Sequence, residues 1–556
     1  MTKMYRVLLA LLFSSVAVPP ALHAAIQDPV RIEQGLLSGD TDKNSTVRVY
    51  RGIPYAAAPT GDLRWKPPAP PPHWQGTRQA TEFGNTCMQM LRSSKSIVDE
   101  ALTPSQPQSE DCLFLNIWTA AKTLGDKRPV MVFIHGGGFT MSAGSIAAYD
   151  GDKIASKGGV VLVTINYRLG VFGFFALPEL AEESPHHAAG NYAVMDMIAA
   201  LQWVKKNIAA FGGDPDNVTI FGQSAGSWGV NLLQASPLAN GLFQRAIGES
   251  GGNFSEGLRA GSTGGDPAQY PEMMTLGDGE RAGEKIASQA GATTDPLQTL
   301  RALPAQRLIE AYKGVNTWPI VDGWVIPKDV WTIYAQGEQN DVPTIVGNNA
   351  DEATIYLSDS PKNITPDEYV ANAKKKFGAV ADQFLKAYPG TTKPEAVAST
   401  YAAFRDERHG WEMRTWARMQ TKTGHQPVYR YYFTRVAPGP QAQPLRAFHT
   451  LELSYVYGNF KMYAFPWTDE DHKYSNAVMA YWTNFAGSGN PNATGLPKWP
   501  VYNASDDDVL QFGSEIAVRT HVNQAGLDFF DAYHAAFMSA EASRGGKTAK
   551  PNGSSK

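Results

Sequence analysis

The pentapeptide at residues 222–226, Gly-Gln-Ser-Ala-Gly, combines residue types and spacing suited to nucleophilic catalysis. It has the G-x-S-x-G form, in which a serine occupies a sharp turn between a strand and a helix. Residues 218–221 have strand character and residues 227–233 can form a helix. Glycines on both sides let the backbone hold the serine in a strained conformation with its hydroxyl outward. The pattern predicts that Ser224 is a nucleophile, and the alternative is an ordinary turn of small residues.

A second glycine-rich motif, His-Gly-Gly-Gly-Phe at residues 135–139, directly follows the apolar run 129–134. Three consecutive glycines cost conformational entropy unless the backbone must approach another group closely. The tetrahedral intermediate of acyl transfer needs N–H donors about 3 Å from its oxyanion. We assign these donors to the amides of Gly137, Gly138 and Ala225. The alternative is a phosphate-binding loop, but no Lys or Ser/Thr completes a P-loop here.

Activation of a serine hydroxyl requires a base, and a third group must orient that base. With a G-x-S-x-G turn, the order along the chain is serine, acid, histidine. Only His449 lies shortly after a convincing strand, residues 427–436, among the later histidines. The adjacent Asp351 and Glu352 follow the strand 342–346 in the same sense, and the pattern alone does not choose between them. The histidines considered are His409, His425, His449, His472, His521 and His534.

The elements that must position these groups are the strands of a parallel sheet. The short, continuously apolar runs 129–134 and 160–165 are typical of strands buried on both faces. Apolar residues at helical spacing predict a helix over Tyr192–Phe211, and the strand 218–221 follows at once. Strand, helix and strand in this order form the unit of an α/β fold. Residues 26–118 are expected to be a peripheral region of short strands and proline-rich loops.

The two ends of the chain differ in composition from the rest. Basic residues near the start, an apolar run over residues 7–18 and small residues up to Ala25 predict a cleavable signal peptide at residues 1–24. The run is too short to span a bilayer as an anchor. We therefore expect export, either to the periplasm or out of the cell. Residues 25–543 are expected to form one elaborated domain, and residues 544–556 a disordered tail.

The bulk composition limits the possible functions. Hydrophobic residues make up 43% and charged residues 18%, which suits a large buried core. The net charge is −4, and the absence of a basic stripe argues against nucleic-acid binding. No metal or organic cofactor is expected, since neither His186-His187 nor the His449–Glu452 spacing comes with a third ligand. In an exported chain the two cysteines predict one disulfide, the alternative being two buried thiols.

Several independent motifs occur together in one order. They are residues 51–56 (Arg-Gly-Ile-Pro-Tyr-Ala), 110–116 (Glu-Asp-Cys-Leu-Phe-Leu-Asn), 166–174 (Asn-Tyr-Arg-Leu-Gly-Val-Phe-Gly-Phe) and 211–215 (Phe-Gly-Gly-Asp-Pro). With the Ser224 turn, they make the chain resemble the type-B carboxylesterases, the family of cholinesterases, para-nitrobenzyl esterases and related lipases. The resemblance covers nearly the whole mature chain. It implies an α/β-hydrolase fold and cofactor-free hydrolysis of small-molecule esters through an acyl-enzyme.

The resemblance also implies roles for individual residues. The family's acid is the glutamate of the Asp-Glu pair, here Glu352, and its histidine corresponds to His449. A disulfide between Cys87 and Cys112 is implied as well. Supporting roles are implied for two further residues, Glu452 and Ser250. The alternative for Glu452 is an ordinary solvated position on a helix.

Two departures from the cholinesterases bear on the substrate. Gln223 stands where those enzymes have a glutamate, and the loop between the cysteines contains no aromatic residue to bind a cation. We therefore expect neutral esters to be preferred over choline esters. A non-catalytic adhesion or scaffold protein is the alternative function, but such relatives have lost the serine or its partners. The residues expected to line the substrate pocket are Phe139, Gln223, Trp228, Phe172 and Trp318.

Overall fold

The central strands of the protein run parallel and end at one common edge. Within the described residues, eleven strands form one mixed sheet. The computed structural model describes residues 25–41, 46–90, 96–255, 273–357 and 360–545. The strands are β1 Val30–Ile32, β2 Gly35–Ser38, β3 Asp40–Thr41, β4 Arg48–Pro54, β5 Thr77–Gln79, β6 Thr86–Cys87, β7 Gln108–Ser109, β8 Phe114–Thr119, β9 Arg128–Ile134, β10 Val161–Ile165, β11 Gly213–Gln223, β12 Arg245–Glu249, β13 Met274–Thr275, β14 Ile320–Val321, β15 Thr344–Asn349, β16 Val428–Phe433, β17 Val509–Phe512 and β18 Ile516–Arg519.

Helices cover both faces of this sheet, and none of the described ones is long and apolar enough to cross a membrane. A π-helical turn, Asp406–Gly410, interrupts the helical region between the fourteenth and fifteenth helices. The helices are α1 Ile97–Leu102, α2 Asp152–Lys157, α3 Gly170–Gly173, α4 Pro178–Glu183, α5 Tyr192–Asn207, α6 Ala225–Ala235, α7 Leu276–Gln289, α8 Pro296–Ala302, α9 Ala305–Tyr312, α10 Val330–Ala335, α11 Thr354–Leu357, α12 Pro366–Phe377, α13 Ala381–Ala387, α14 Lys393–Arg405, α15 Trp411–Thr423, α16 Leu451–Tyr457, α17 Asp469–Ser488 and α18 Gln524–Gly545.

The order of strands across the sheet is β18-β17-β16-β15-β12-β11-β9-β10-β8-β4-β3. The run from β17 to β10 is parallel throughout, and antiparallel strands flank it on both sides. This confirms the predicted α/β architecture with a mostly parallel sheet. Parallel alignment brings the residues that follow β9, β11, β12 and β15 to the same edge. Ligands and catalytic groups gather at such an edge in open α/β sheets.

Strand β9 illustrates why the central runs are continuously apolar. Val130, Val132 and Ile134 pack into the core on the sheet face that α5 and α6 cover. Met131 and Phe133 pack into a second core on the opposite face, which α16 and α17 cover. Alternate residues of a strand point to opposite faces, so burial of both faces removes the usual alternation of apolar and polar residues.

The expectation that residues 26–118 are peripheral is wrong for part of that segment. Strand β8 is buried along its whole length and pairs with β10, while β4 pairs with β8. Its one strongly polar side chain, Asn116, accepts a hydrogen bond from the Gly52 amide (3.0 Å) and donates one to Thr164 Oγ1 (3.1 Å). The strand can therefore be buried despite the asparagine, because both ends of the amide are satisfied.

The predicted chain ends lie mostly beyond the described residues. The predicted signal peptide, residues 1–24, falls outside them. Helix α18 extends to Gly545, so the first two residues of the predicted tail belong to a helix. The rest of that tail also lies outside the described residues.

The predicted disulfide is confirmed: Cys87 and Cys112 are bonded and buried across a separation of 25 residues. The chain beside it is held by Arg64, whose guanidinium forms a bidentate pair with Glu110 (2.7 and 2.5 Å). The Asn166 side chain donates to the carbonyl of Cys112 (3.1 Å). Glu110, Cys112 and Asn166, which belong to the motifs that carry the family resemblance, therefore have a structural role here.

Replacing both cysteines by alanine (Cys87→Ala with Cys112→Ala) is expected to lower Tm. A closed loop of this size typically stabilises a protein by about 2–4 kcal/mol, because it restricts the unfolded chain. Differential scanning calorimetry with and without dithiothreitol checks this. The reductant should lower the Tm of the wild type towards that of the variant and leave the variant unchanged. An equal response of both proteins to the reductant would contradict the stabilising role.

Candidate active site

Ser224 lies on a sharp turn between the end of β11 and the start of α6. Its backbone angles, φ 59° and ψ −126°, are strained for a residue with a side chain. The Ser224 amide donates to the carbonyl of Glu249 (2.8 Å), which ties the turn to the neighbouring strand. A Cβ at Gly222 would lie 2.5 Å from the Gly226 backbone, and one at Gly226 would overlap the Ile134 carbonyl. Both flanking glycines are therefore required by close backbone packing.

The glycine loop after β9 takes a conformation that few sequences can adopt. Gly137, Gly138 and Phe139 all have positive φ, at 102°, 64° and 55°. A Cβ on Gly137 would overlap the carbonyl of Met141. The glycines are therefore needed for the positive φ angles and the close backbone packing of this loop, as the sequence predicts.

Three backbone amides at this edge have no acceptor within the described residues. Among the described residues, the N–H groups of Gly137, Gly138 and Ala225 donate to no protein atom. Ala225 is the first residue of α6, where the helix leaves its N–H groups unpaired. The Tyr167 hydroxyl donates to the His135 carbonyl (2.6 Å) and fixes the start of the glycine loop. Such fixed donors suit an oxyanion.

Glu352 and His449 form a buried, charge-assisted contact beyond β15. His449 Nδ1 lies 2.5 Å from Glu352 Oε2, with the glutamate fully buried and the imidazole 3% exposed. The other carboxylate oxygen accepts from Ser250 Oγ (2.6 Å) and from the Asn349 amide (2.7 Å). Burial by itself would raise the pKa of Glu352. The imidazoles of His409 and His449 and these hydrogen bonds outweigh burial, and they lower that pKa to about 2.

The structure distinguishes the two adjacent acids that the sequence left open. Asp351 turns away from His449, and its carboxylate accepts from Arg446 Nε (2.9 Å) and from the Ala447 amide (3.2 Å). Glu352 alone of the two contacts the imidazole of His449. Asp351 therefore braces the loop that carries His449.

Gln223 lies against the imidazole of His449. Its amide nitrogen is 3.0 Å from His449 Nε2 and 3.4 Å from Nδ1. Such similar distances place the amide beside the ring, out of line with the lone pair of either nitrogen. Within the described residues, the Ser224 hydroxyl makes no hydrogen bond to His449. Catalytic hydrogen bonds often tighten only when substrate binds.

His409 belongs to this cluster, although the sequence did not single it out. It lies on the π-helical turn, is 1% exposed, and places its ring centroid 5.1 Å from that of His449. His409 Nδ1 lies 3.0 Å from the Ser250 carbonyl. Burial lowers the pKa of His409 to about 3. No strand precedes this histidine, so positional reasoning could not find it. Glu352, His409 and His449 together form a group that could hold a metal ion.

Glu452 is fully buried, so it is not a solvated helix residue. Its Oε2 accepts from the Asn349 side chain, which also donates to the Phe448 carbonyl. The Asn349 main-chain amide in turn donates to Glu352. Glu452 thus reaches the Glu352 carboxylate through one asparagine, whereas Ser250 contacts it directly.

A second buried acid, Glu249, was missed from the sequence. It ends β12, and its Oε1 accepts from Trp482 Nε1 (2.8 Å). Burial raises the pKa of Glu249 to about 8. Burial, followed by the negative charge of Glu249, also raises the pKa of Glu452 well above its usual range. Of the three buried carboxyl groups here, only that of Glu352 is held strongly in its ionised form.

Three of the predicted pocket residues form one aromatic cluster. The ring centroids of Phe139 and Trp228 both lie 5.5 Å from that of Trp318, and Phe139 lies 6.1 Å from Trp228. The Arg408 guanidinium lies 5.0 Å from the centre of the Trp228 ring. The role expected of Phe172 in the substrate pocket stays a prediction. Its side chain lines a small cavity with Arg64 and Trp65 beside the disulfide, and Phe174 packs against Phe139 (5.1 Å).

Replacing Glu249 by glutamine should stabilise the protein increasingly as pH rises. A carboxyl whose pKa rises from 4.5 unfolded to about 8 folded supplies stability at low pH. This stability is lost as pH increases from 4.5 through 8, at a total cost of about 3–5 kcal/mol. The Glu249→Gln variant has no such loss and can still accept from Trp482. Tm measured from pH 5 to pH 9 checks this. The exposed Glu338→Gln serves as the control, and a constant difference in Tm across pH would refute the assignment.

Comparison with known proteins agrees with this geometry. The sequence profile of the carboxylesterase family matches residues 27–530. Fumonisin B1 esterase of Sphingopyxis macrogoltabida is 33% identical, covering 91% of this chain and 90% of that protein. Para-nitrobenzyl esterase of Bacillus subtilis is also 33% identical, covering 88% and 96%. A solved structure of a PNB esterase superposes with a TM-score of 0.74 at 30% identity, covering 91% of this chain and 100% of that one.

These relatives are all named as esterases, and none supports the non-catalytic alternative. The family match covers nearly all of the chain, and the solved relatives share its α/β-hydrolase fold. The predicted resemblance is therefore confirmed. The protein belongs to the carboxylesterase family and hydrolyses carboxylic esters.

Proposed function

We propose that hydrolysis proceeds by two-step acyl transfer on Ser224, with His449 as the base and Glu352 as the residue that orients it. The observation that carries this assignment is the buried Glu352–His449 contact at the sheet edge where the strained Ser224 turn also lies. A carboxylate on Nδ1 fixes the tautomer, so Nε2 of the imidazole has the lone pair that can accept a proton.

The proposed steps use only these side chains, the backbone and water. Ser224 Oγ attacks the ester carbonyl while its proton passes to His449 Nε2. The amides of Gly137, Gly138 and Ala225 hold the resulting oxyanion. The intermediate collapses, the carbon–oxygen bond to the alcohol breaks, and the His449 proton passes to the departing alkoxide. Water then attacks the acyl-enzyme with the same base and releases the acid.

Neutral esters are the substrates that the pocket favours. The aromatic side chains of Phe139, Trp228 and Trp318 offer an apolar surface close to Ser224. The Arg408 guanidinium already lies over the face of Trp228, the kind of surface that a quaternary ammonium group would need. Gln223 adds no negative charge to attract such a group. An apolar wall of this kind suits uncharged acyl and alcohol groups.

The mature chain is proposed to be exported, either to the periplasm or out of the cell. The N-terminal sequence has the order of charged, apolar and small residues that secretion signals share. The Cys87–Cys112 disulfide supports it, because such bonds persist mainly in oxidising compartments.

Ser224→Ala is expected to lower kcat by about four orders of magnitude or more, because the covalent step is lost. Circular dichroism should show an unchanged fold. An organophosphate should modify the wild type once, and peptide mass spectrometry should locate the adduct at Ser224. Ser227, three residues further on and bonded to the Gly251 carbonyl, gives the matched control Ser227→Ala. An adduct on another serine would refute the assignment.

Glu352→Gln and Asp351→Asn form a matched pair that tests the orienting acid. Removing the charge from Glu352 should lower kcat by roughly three to four orders of magnitude, because a triad amide favours the wrong tautomer. Asp351→Asn should leave kcat within about tenfold, because that carboxylate contacts only the supporting loop. Steady-state kinetics of both variants decide between them. A larger loss for Asp351→Asn would reverse the two roles.

Butyrylcholine should be a poorer substrate than its uncharged isostere 3,3-dimethylbutyl butyrate. The missing carboxylate and aromatic site should together lower kcat/KM for the cation about 10–100-fold. Arg408→Gln should narrow the ratio between the two esters, because it frees the face of Trp228 for a cation. Measuring kcat/KM for both esters with both proteins checks this. A preference of the wild type for the choline ester would contradict the substrate proposal.

A further inference from the structure

The imidazole of His409 lies beside the proposed catalytic triad of Ser224, His449 and Glu352, and one of its nitrogens forms no hydrogen bond within the described residues. His409 Nδ1 lies 3.0 Å from the Ser250 carbonyl, an acceptor, so this nitrogen must carry the hydrogen. His409 Nε2 then has a lone pair, and within the described residues it is buried without a hydrogen-bond partner. A buried acceptor without a hydrogen-bond partner destabilises the fold. An electron-pair acceptor bound at His409 Nε2 would satisfy this lone pair.

Two further ligand groups surround the same space. One ligand atom each from Glu352, His409 and His449 lies within 4.8 Å of the other two, and all three residues are buried. A point central to three atoms this far apart is at most about 2.8 Å from each, so shifts under about 1 Å reach zinc–ligand distances near 2.0–2.2 Å. Two imidazoles and one carboxylate form a common zinc ligand set that leaves a fourth position open.

We propose that Glu352, His409 and His449 form a binding site for a divalent transition-metal ion, Zn²⁺ above all, and that occupancy of this site stops ester hydrolysis. The inhibitory part rests on the proposed role of His449 as the base. If the ion binds Nδ1 of His449, the displaced proton moves to Nε2, which can no longer accept the serine proton. If the ion binds Nε2, it occupies the required lone pair directly. In both cases Glu352 no longer orients a free imidazole.

A purely structural role for His409 would use only one nitrogen. Its bond to the Ser250 carbonyl needs a single N–H, which the amide of an asparagine could supply from a similar place. The π-helical turn Asp406–Gly410 carries His409, whose ring centroid lies 5.1 Å from that of His449. Such turns are rare and occur frequently at functional sites. The second nitrogen of His409 therefore distinguishes a metal-ligand role from a purely structural role.

Direct binding of Co²⁺, a spectroscopic substitute for Zn²⁺, tests the site without reference to activity. The chelator-treated mature protein and Ser224→Ala should each bind one Co²⁺, giving a visible absorption band that Zn²⁺ abolishes by competition. His409→Asn, which keeps the donor to Ser250, should weaken binding at least about 10–100-fold. His425→Asn removes an exposed histidine beside Asp341 and should bind like the wild type. Absence of one-to-one binding, or equal binding by His409→Asn, would overturn the site.

Hydrolysis of a neutral ester tests the inhibition separately. Zn²⁺ should inhibit the wild type reversibly, with activity restored by EDTA, and should slow organophosphate labelling of Ser224. The zinc concentration for half-inhibition should rise at least about tenfold in His409→Asn, relative to its own metal-free rate. His409→Gln replaces this variant should His409→Asn not fold. Binding with full retained activity would overturn the inhibitory role, whereas failure of Ser224→Ala to lose activity would refute the nucleophile alone.

Discussion

A fully buried carboxylate stays ionised only when its neighbours supply enough hydrogen bonds and positive charge. The rest of the site depends on meeting this requirement for Glu352. Removing such a group from water costs several kcal/mol. Donors from the imidazole of His449, the hydroxyl of Ser250 and the amide of Asn349 offset that cost. These donors come from different strands and loops. The sheet must therefore hold all of these donors in place for the Glu352 carboxylate to remain ionised in the interior.

The neighbouring acids Glu249 and Glu452 show what happens when a buried carboxyl group lacks such donors. Glu249 and Glu452 are equally buried but lack a comparable set of donors, so burial raises the pKa of each. Keeping protons on them leaves Glu352 as the one strongly ionised carboxylate of the three. Backbone strain accompanies this arrangement: Ser224, Ser250 and Thr450, which follows His449, all have positive φ. Strain of this kind persists only where the surrounding packing fixes the backbone, as at functional sites.

Local sequence patterns predicted the central strands and the Ser224 turn, because both depend on residues that are close along the chain. The choice of Glu352 over Asp351 came from the family resemblance, since strand-end position is the same for both. Pairing between distant segments was harder to predict. The central place of β8 cannot be read from its own residues, because it depends on pairing with β10, about 45 residues further along the chain. His409 was missed because a π-helical turn, which has no clear sequence pattern, directs it to the triad.

The surroundings of Glu352 also explain why the proposed catalytic acid and base are suited to be metal ligands. A carboxylate and an imidazole that together accept a proton also offer lone pairs to a metal ion, and both are common ligands of the borderline cation Zn²⁺. With Glu352 and His449 alone, a metal ion would gain only two ligands and would leave the remaining positions to water. His409 supplies a third ligand without solvent exposure, because the Ser250 carbonyl fixes the orientation of its ring. The hydroxyl of that same serine stabilises the charge on Glu352, so Ser250 positions the ligand and the acid together.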